Sequence, residues 1–210
     1  GIHTFTVWGF STENWERSKE EVEFLMSLFK KVIDEYVDEA KKNGTRIIHL
    51  GRKDRFSKSL SRAIEEAEFE TRNNKKHIFN IALDYGGHDE IVRAVKHLAM
   101  DNIKPEEIGE KLFASYLDTK GQPYPYVDLL IRTSGEQRLS GIFPWQMSYA
   151  EIWWEENHLP NFTVDRFVGA LLDYSRRRRR FGGNDKKVHK FEFKPRLVAK
   201  LELDWWRARE

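Results

Sequence analysis

The segment TFTVWGFSTENWERSKEEVEFLMSLF, residues 4–29, decides the fold because it joins a strand pattern to a helix pattern through a short polar connection. Residues 3–8 are rich in β-branched and aromatic side chains, which is typical of a β-strand. Ser18 and Glu21 then have the spacing of a capping box, and apolar residues follow at helical intervals. The sequence therefore predicts a strand, a loop and an amphipathic helix in close succession.

The connecting residues 11–17 carry more polar chemistry than a helix start requires. Capping explains Ser18, which accepts a hydrogen bond from the first helical turn. It does not explain Asn14 or Arg17, which precede the cap. Asn43-Gly44 provides a suitable end for the helix. The apolar positions that define the helix are Val22, Leu25, Met26, Phe29, Val32, Ile33, Tyr36, Val37 and Ala40.

The same alternation continues along the chain. We expect further strands at 46–50, 78–83, 127–131 and 150–154, and helices at about 56–72, 88–100, 105–117 and 163–179. Near-continuous apolar strands that alternate with helices predict the α/β class, with a mostly parallel sheet flanked by helices on both faces. Ligands collect beyond the carboxyl ends of the strands in such sheets, so the loops there are the candidate sites.

The composition limits the classes of function. The chain has 210 residues, enough for one sizeable domain, and its lack of cysteine excludes disulfides, thiolate catalysis and cysteine-ligated zinc. A formal net charge of +2 is too small to indicate nucleic acid as a partner. We see neither a signal peptide nor an apolar run long enough to span a membrane, and we expect a cytoplasmic protein.

A second loop, RTSGEQRLSG at 132–141, directly follows a predicted strand. Arg132 and Arg138 are close enough in sequence to bind one dianion together, and arginine binds phosphate oxygens bidentately. The small residues between them offer hydroxyls and backbone N–H groups that complete a diphosphate cradle. A surface loop with solvated arginines is the alternative.

A third loop leads into the strand predicted at 150–154 and places Glu151 at its edge. A carboxylate next to an apolar strand is costly unless it is paired or bound to a metal. Beside a diphosphate, Mg²⁺ held by one or two carboxylates is the natural partner. An ion pair between Glu151 and an arginine is the alternative. We expect Arg132, Arg138 and Glu151 to converge at the rim of the sheet.

Two other motifs have weaker functional interpretations. Tyr85-Gly86-Gly87 precedes a predicted helix and indicates a tight turn rather than a phosphate nest. The run Arg176–Arg180 covers every face of a helix, so several of its side chains are expected to be solvated. Nucleic-acid binding through this run is a separate hypothesis, which the small net charge of the chain disfavours.

Four segments taken together resemble the cis-prenyltransferases, the undecaprenyl diphosphate synthase family. They are GFSTENWER (9–17), NIALDYGGHDEI (80–91), DLLIRTSGEQRLSGIFPWQMSYAEI (128–152) and RRRRRFGG (176–183). The resemblance implies a parallel α/β sheet with a hydrophobic prenyl-chain cleft, usually in a homodimer. It also implies that Mg²⁺ assists the condensation of isopentenyl diphosphate with an allylic diphosphate such as farnesyl diphosphate, which forms a new Z double bond.

The resemblance also implies roles for single residues. Asn14 would help to position the diphosphates and the proton that isopentenyl diphosphate loses, and Glu151 matches the family's metal-ligand glutamate. The implied substrate-binding residues are Ser11, Thr12, Glu13, Trp15 and Arg17 in the first loop, and Arg132, Arg138, Leu139 and Ser140 in the second. The prenyl tunnel would be lined by Leu25, Leu28 and Phe29, for which ordinary core packing is the alternative.

One departure from the family's pattern is important. Family members begin with a strand that ends in Asp-Gly-Asn-x-x-Trp, whose aspartate holds Mg²⁺, and no Asp-Gly-Asn occurs in this chain. Three explanations are open: a truncated sequence, a second chain that supplies the motif, or an inactive subunit that stabilises a partner. The catalytic character of the remaining residues, and a first residue other than Met, favour truncation.

The resemblance ends at about Gly183, and we expect one prenyltransferase domain over residues 1–183. Residues 184–210 form a predicted carboxy-terminal extension of unknown role. Its apolar residues, including Trp205 and Trp206, are interspersed with Lys and Arg. Such a segment indicates docking on the domain or on a partner subunit, with contact to a membrane surface as the alternative.

Overall fold

Two parallel sheets form the framework of the structure, which is a computed structural model. In the larger sheet, β1 (Thr4–Ser11) and β2 (Thr45–Leu50) both pair with β3 (His77–Tyr85), in the order β1–β3–β2. The smaller sheet pairs β4 (Leu129–Arg132) with β5 (Glu151–Trp154). All of these pairings are parallel, so the predicted α/β class is confirmed.

Helices follow the strands as the alternating pattern predicts. They are α1 (Lys19–Asn43), α2 (Lys58–Thr71), α3 (Gly87–Met100), α4 (Glu110–Ala114) and α5 (Val164–Arg176). The limits of α1 agree with the sequence signals. The Ser18 hydroxyl accepts the backbone N–H of Glu21 at 3.3 Å, and Gly44 ends the helix in the left-handed region with φ of 69°.

The structure describes residues 1–183, which form two units. The amino-terminal unit consists of Ile2–Pro125 and Gly141–Pro144 and contains the three-stranded sheet. The carboxy-terminal unit consists of Gly1, Tyr126–Ser140 and residues 145–183, and it contains the smaller sheet. A single domain over these residues stays a prediction, and the predicted carboxy-terminal extension lies outside the described residues.

Some element ends differ from the sequence predictions. β1 continues to Ser11 and β3 continues to Tyr85, beyond the predicted ends at 8 and 83. Parallel pairing between the two strands keeps these last residues extended, although residue types such as Ser11 and Asp84 are typical of turns. The prediction of one continuous helix at 105–117 was wrong. A 3₁₀ turn at Pro105–Glu107 is followed by the short α4, and Gly109 separates the two.

The core of the amino-terminal unit lies where α1 and α2 pack against each other and the sheet. Burial of these apolar side chains stabilises the fold by roughly 25 cal/mol for each Å² removed from water. The buried residues of this cluster are Phe10, Val22, Ile33, Ile47, Leu60, Ala63, Ile64, Ala67 and Leu83.

The carboxyl end of β3 is fixed by hydrogen bonds from three parts of the chain. The carbonyls of Leu83–Tyr85 accept, in order, from His49 Nε2 at 2.9 Å, the Arg52 backbone N–H at 3.0 Å and Trp8 Nε1 at 3.1 Å. These three residues are buried, so their carbonyls have to be paired within the protein. The end of β3 thereby determines where β1, β2 and the loop after β2 lie.

Gly51 allows the loop after β2 to cross the end of β3. Its φ is 111°, and a Cβ there would lie 2.5 Å from the Leu83 carbonyl oxygen and 2.7 Å from that of Asp84. Both atoms belong to a buried strand backbone and have no room to move. Only glycine fits this position.

We expect Gly51→Ala to lower the free energy of unfolding by more than about 2 kcal/mol, because both the dihedral strain and the backbone clash oppose a methyl group. Gly169→Ala is the matched control. Gly169 lies within α5 with no atom within 4 Å of the added Cβ, so alanine there should be neutral or stabilising by up to about 1 kcal/mol. Urea unfolding of both variants measures the difference, and equal stability for the two would contradict this account.

The His49 ring is buried and holds a lowered pKa. It lines a cavity of about 10 Å³ whose other walls are aliphatic, and its Nδ1 has no partner within residues 1–183. Burial, with the nearby charge of Lys53, lowers the pKa of His49 to about 4. The ring is therefore neutral at physiological pH.

We expect stability to fall as the pH is lowered from about 6.5 to about 4. In this window the unfolded chain binds a proton at His49 and the folded protein does not, so the free energy of unfolding decreases by about 3 kcal/mol. Urea unfolding at several pH values measures the slope. His49→Leu should lose this part of the pH dependence, and an unchanged slope in that variant would overturn the assignment.

Candidate functional site

The first loop, residues 11–17, folds as a short 3₁₀ helix held by the side chain of Asn14. The 3₁₀ helix spans Thr12–Glu16, and the buried Ser11 precedes it. The backbone N–H of Ser11 donates to Asn14 Oδ1 at 2.9 Å. The amide oxygen is thus used within the turn, whereas the two N–H groups of the same amide have no partner among residues 1–183. Asn14 is therefore available to a ligand as a donor.

Trp15 is packed from several sides. Its ring contacts Phe10, with centroids 5.2 Å apart, and Phe56, with centroids 6.4 Å apart. The guanidinium of Arg55 lies over the ring at 5.4 Å from its centroid. Such a cation–π contact contributes about 0.5–1 kcal/mol at an exposed site. Trp15 thus anchors the first loop next to Asn14.

The polar residues around Asn14 have different surroundings. Thr12 packs on Gly86, where an added Cβ would lie only 2.2 Å from the Thr12 hydroxyl oxygen. Glu13 is exposed, and its pKa is lowered: burial opposes the shift, but hydrogen bonds from its own backbone N–H and from Ser11 and Thr12 outweigh it. Arg17 is exposed and pairs with Glu21 on α1 at 2.6 Å.

The glycine pair after β3 is a tight turn, as the sequence predicts. Gly86 precedes α3, and the backbone N–H of Gly87 donates to the carbonyl of Gly141 at 2.8 Å. A Cβ on Gly87 would lie 2.1 Å from Pro144 Cδ. Close packing therefore accounts for both glycines, and one of their N–H groups is already used.

The second loop begins in the carboxy-terminal unit at the end of β4. Its backbone is tied to the segment after β5, because Ser134 N–H donates to the Asn157 carbonyl at 2.7 Å and Gly135 N–H to the Glu155 carbonyl at 2.9 Å. Ser134 and Ser140 both have positive φ, at 74° and 51°. A non-glycine residue in this region is uncommon and is found preferentially at functional sites.

The arginines of this loop are not equivalent. Arg132 is partly buried, and its guanidinium pairs with no side chain of the described chain. Arg138 is exposed and forms an ion pair with Glu136 of the same loop. Leu139 is partly buried, and Ser140 is exposed. A ligand would therefore meet Arg132 directly and would have to displace Glu136 from Arg138.

Glu151 forms the ion pair that was the alternative to metal binding. Its Oε2 accepts from Arg177 Nη1 at 3.0 Å, and Arg177 also pairs with Asp173 at 2.6 Å. The β4–β5 register places Glu151 opposite Leu129 and Arg132 opposite Trp154. Three residues of parallel strand, about 10 Å, therefore separate the backbone levels of Glu151 and Arg132, and their convergence on one ligand stays a prediction.

The arginine run after α5 is engaged within its own unit. α5 ends at Arg176, so the next residues do not continue the helix that the sequence predicted to 179. Arg177 pairs as described above. Arg179 binds Asp128, the Tyr149 carbonyl and the Tyr174 hydroxyl. Arg177 and Arg179 therefore have structural roles within this unit.

The proposed tunnel residues, at i, i+3 and i+4, share one side of α1 but differ in exposure. Leu25 and Phe29 pack against the buried core cluster, in agreement with the core-packing alternative. Leu28 is 40% exposed and belongs to an outer apolar stripe at four-residue spacing, which comprises Phe24, Leu28, Val32 and Tyr36. Between α1, α2 and the sheet, the cavity of about 10 Å³ holds one water molecule at most. An open prenyl cleft stays a prediction.

Sequence reasoning missed the loop after β2, Gly51–Ser57. It provides Arg55 and Phe56, which both contact Trp15. Arg55 also pairs with Asp84, a wholly buried residue of β3. Its position could have identified it as a candidate, because this loop directly follows a predicted strand, as do the loops at 11–17 and 132–141.

Comparison with known proteins gives a consistent result. A family model of undecaprenyl diphosphate synthases, Prenyltransf, matches residues 1–182. An isoprenyl transferase of Aquifex pyrophilus is 43% identical over 182 residues, covering 87% of this chain and 77% of that protein. An isoprenyl transferase of Streptococcus thermophilus is 43% identical over 189 residues, covering 87% and 76%.

Solved structures share the fold. The lavandulyl diphosphate synthase of Lavandula x intermedia, in complex with dimethylallyl diphosphate, has a TM-score of 0.83 and 34% identity, covering 86% of this chain and 79% of that one. A probable undecaprenyl diphosphate synthase of Campylobacter jejuni has a TM-score of 0.77 and 30% identity, covering 86% and 83%.

The fold and these similarities define a prenyltransferase, an enzyme of prenyl chain elongation. The chain belongs to the undecaprenyl diphosphate synthase family. The relatives do not favour the alternative of an inactive subunit. None of the helices within residues 1–183 combines the length and the hydropathy of a membrane-spanning segment.

Proposed function

We propose that this enzyme condenses isopentenyl diphosphate with an allylic diphosphate such as farnesyl diphosphate and forms a Z double bond. A carbon–carbon bond forms between the two substrates, the allylic carbon–oxygen bond to diphosphate breaks, and isopentenyl diphosphate loses a proton. The observation that carries the proposal is the Asn14 amide, which is fixed by Ser11 and presents unpaired donors. A related structure that binds dimethylallyl diphosphate supports an allylic diphosphate as the ligand class.

Asn14 serves as a hydrogen-bond donor to diphosphate oxygen. Its Oδ1 accepts from Ser11 N–H, and an uncharged amide is too weak a base to take up the proton that the substrate loses. Of the two roles that the family resemblance implies, the positioning of diphosphate is the one that this geometry supports. Donors fixed before the reaction stabilise developing negative charge without reorganisation.

The other residues of the two loops bind or border the substrates. Trp15 and Thr12 hold the first loop in place, and Glu13 and Arg17 lie at its exposed side. In the second loop, Arg132 and Ser140 are available to diphosphate, Arg138 becomes available when Glu136 releases it, and Leu139 borders the chain. Arginine suits this role because it remains charged and binds two oxygens at once.

We propose Mg²⁺ as the cofactor, with Glu151 as its protein ligand. Oε2 of Glu151 pairs with Arg177, and Oε1 has no partner in the described part of the chain. No group of three or more His, Cys, Asp or Glu residues gathers within residues 1–183. This donor set fits an ion that is held mainly by diphosphate oxygens and by one carboxylate. When bound, Mg²⁺ neutralises charge on the departing diphosphate.

The prenyl chain is proposed to lie along α1, with Leu28 and the outer apolar stripe as its contact surface. Leu25 and Phe29 support this helix from the core side. A hydrocarbon chain gains free energy from the removal of apolar surface from water, and exposed apolar stripes mark such sites. A homodimer and a cytoplasmic location, with peripheral membrane contact, complete the proposal.

The reaction itself is tested with farnesyl diphosphate, radiolabelled isopentenyl diphosphate and MgCl₂. We expect longer Z-prenyl diphosphates, and no product when EDTA removes the metal. The assay uses this chain and the same chain with any in-frame sequence that precedes Gly1. Dimethylallyl diphosphate is the second allylic starter. Absence of product from both forms with both starters would refute the proposed function.

The role of Asn14 is tested with Asn14→Asp. Aspartate keeps the oxygen that accepts from Ser11 N–H but removes the donors, so we expect kcat to fall by about 100-fold or more while the unfolding midpoint changes little. Asn73→Asp makes the same chemical change at an exposed position and should retain activity within about twofold of the unchanged protein. If Asn14→Asp also retained its activity, the donor role would be excluded.

A further inference from the structure

Asp84 is held in an unfavourable state at the end of β3. Its side chain is fully buried, and its φ is 53°, in the left-handed region. Both features have a cost, because burial removes the carboxylate from water and a non-glycine residue in this region is strained. Such a combination persists where the surroundings determine it, and it is concentrated at functional sites.

Two groups hold Asp84 in place. One is the guanidinium of Arg55, and the other is the backbone of the loop after β2, which crosses the end of β3. Arg55 Nε donates to Asp84 Oδ2 at 2.7 Å, and Arg55 Nη2 donates to the other carboxylate oxygen. The backbone N–H of Arg52 donates to the Asp84 carbonyl at 3.0 Å. A bidentate pair fixes the plane of the guanidinium as well as its position.

That plane lies over Trp15. The guanidinium carbon of Arg55 is 5.4 Å from the centroid of the Trp15 ring, and the next residue, Phe56, contacts the same ring. Asn14 precedes Trp15 in the 3₁₀ helix. A rotation of the tryptophan would therefore move the amide that is proposed to bind diphosphate.

We propose that Arg55 and Asp84 are positioning residues, which hold the Asn14 amide in place through Trp15. This role rests on the proposed function for its effect on turnover, but the coupling to Trp15 is independent of it. Replacing a buried ion pair by apolar residues is often neutral for stability, so stability alone gives little reason for this pair. The bidentate geometry of the pair is explained if it serves to fix the orientation of Trp15.

The chain offers closely matched variants. Asp84→Asn keeps the shape of the side chain and the tolerance for positive φ but removes the charge. Arg55→Lys keeps the charge but removes the fork. Arg93→Lys is the control, because Arg93 forms a similar bidentate pair with Asp118 in the same unit. No contact of Arg93 with Trp15 is present in the described chain.

Fluorine NMR of protein labelled with 5-fluorotryptophan tests the coupling without any assay of activity. The chain has seven tryptophans, and Trp15→Phe identifies the Trp15 resonance. We expect Asp84→Asn and Arg55→Lys to shift or broaden that resonance and Arg93→Lys to leave it unchanged. An unaltered Trp15 resonance in both folded variants would overturn the proposal, whatever the activity. Urea unfolding shows that each variant is folded under the conditions used.

Kinetics then separate positioning from a general loss of stability. We expect Asp84→Asn to lower kcat by about 10-fold or more with little change in KM, since small misplacements have effects of this order. In an Asn14→Asp background the same substitution should change kcat by less than about twofold, because the group that it positions has been removed. Multiplicative losses in the double variant would reject the proposal. Absence of turnover from both unmodified forms with both allylic starters would refute the proposed function instead, and the NMR result would then decide the coupling alone.

Discussion

The hydrogen bonding of three consecutive carbonyls at the buried end of β3 is the constraint on which the amino-terminal unit depends. A buried carbonyl without a partner costs about 1–3 kcal/mol, so Leu83, Asp84 and Tyr85 each require a donor. The donors come from β2, from the loop after β2 and from β1. One requirement of the backbone therefore brings together the segments that surround Asn14.

The sequence predicts those parts of the fold that local interactions determine. α1 has its cap at Ser18 and its end at Gly44 because both signals act within one turn of the helix. The parallel α/β class also follows from the pattern of apolar residues. The ends of β1 and β3 do not, because Asp84 has the residue type of a turn and remains in the strand only through contacts that are distant in sequence.

The candidate site was predictable in outline and not in its connections. The position of Asn14 after a strand selects it, and the family resemblance supplies its role. That its oxygen accepts from Ser11, and that Trp15 rests on Arg55, depends on pairings between separate segments. For Glu151 the sequence left metal and ion pair open, and the pair with Arg177 is found because α5 ends close enough for that arginine to reach the strand.

The two ends of one carboxamide serve two purposes in the first loop. Its acceptor closes the turn, and its donors are the groups proposed to bind diphosphate. No other natural side chain of this length has both properties, since aspartate lacks the donors and leucine lacks both. Folding of the loop requires only the acceptor, which aspartate would also supply, whereas the proposed reaction requires the donors as well, so the demand for asparagine rather than aspartate comes from turnover.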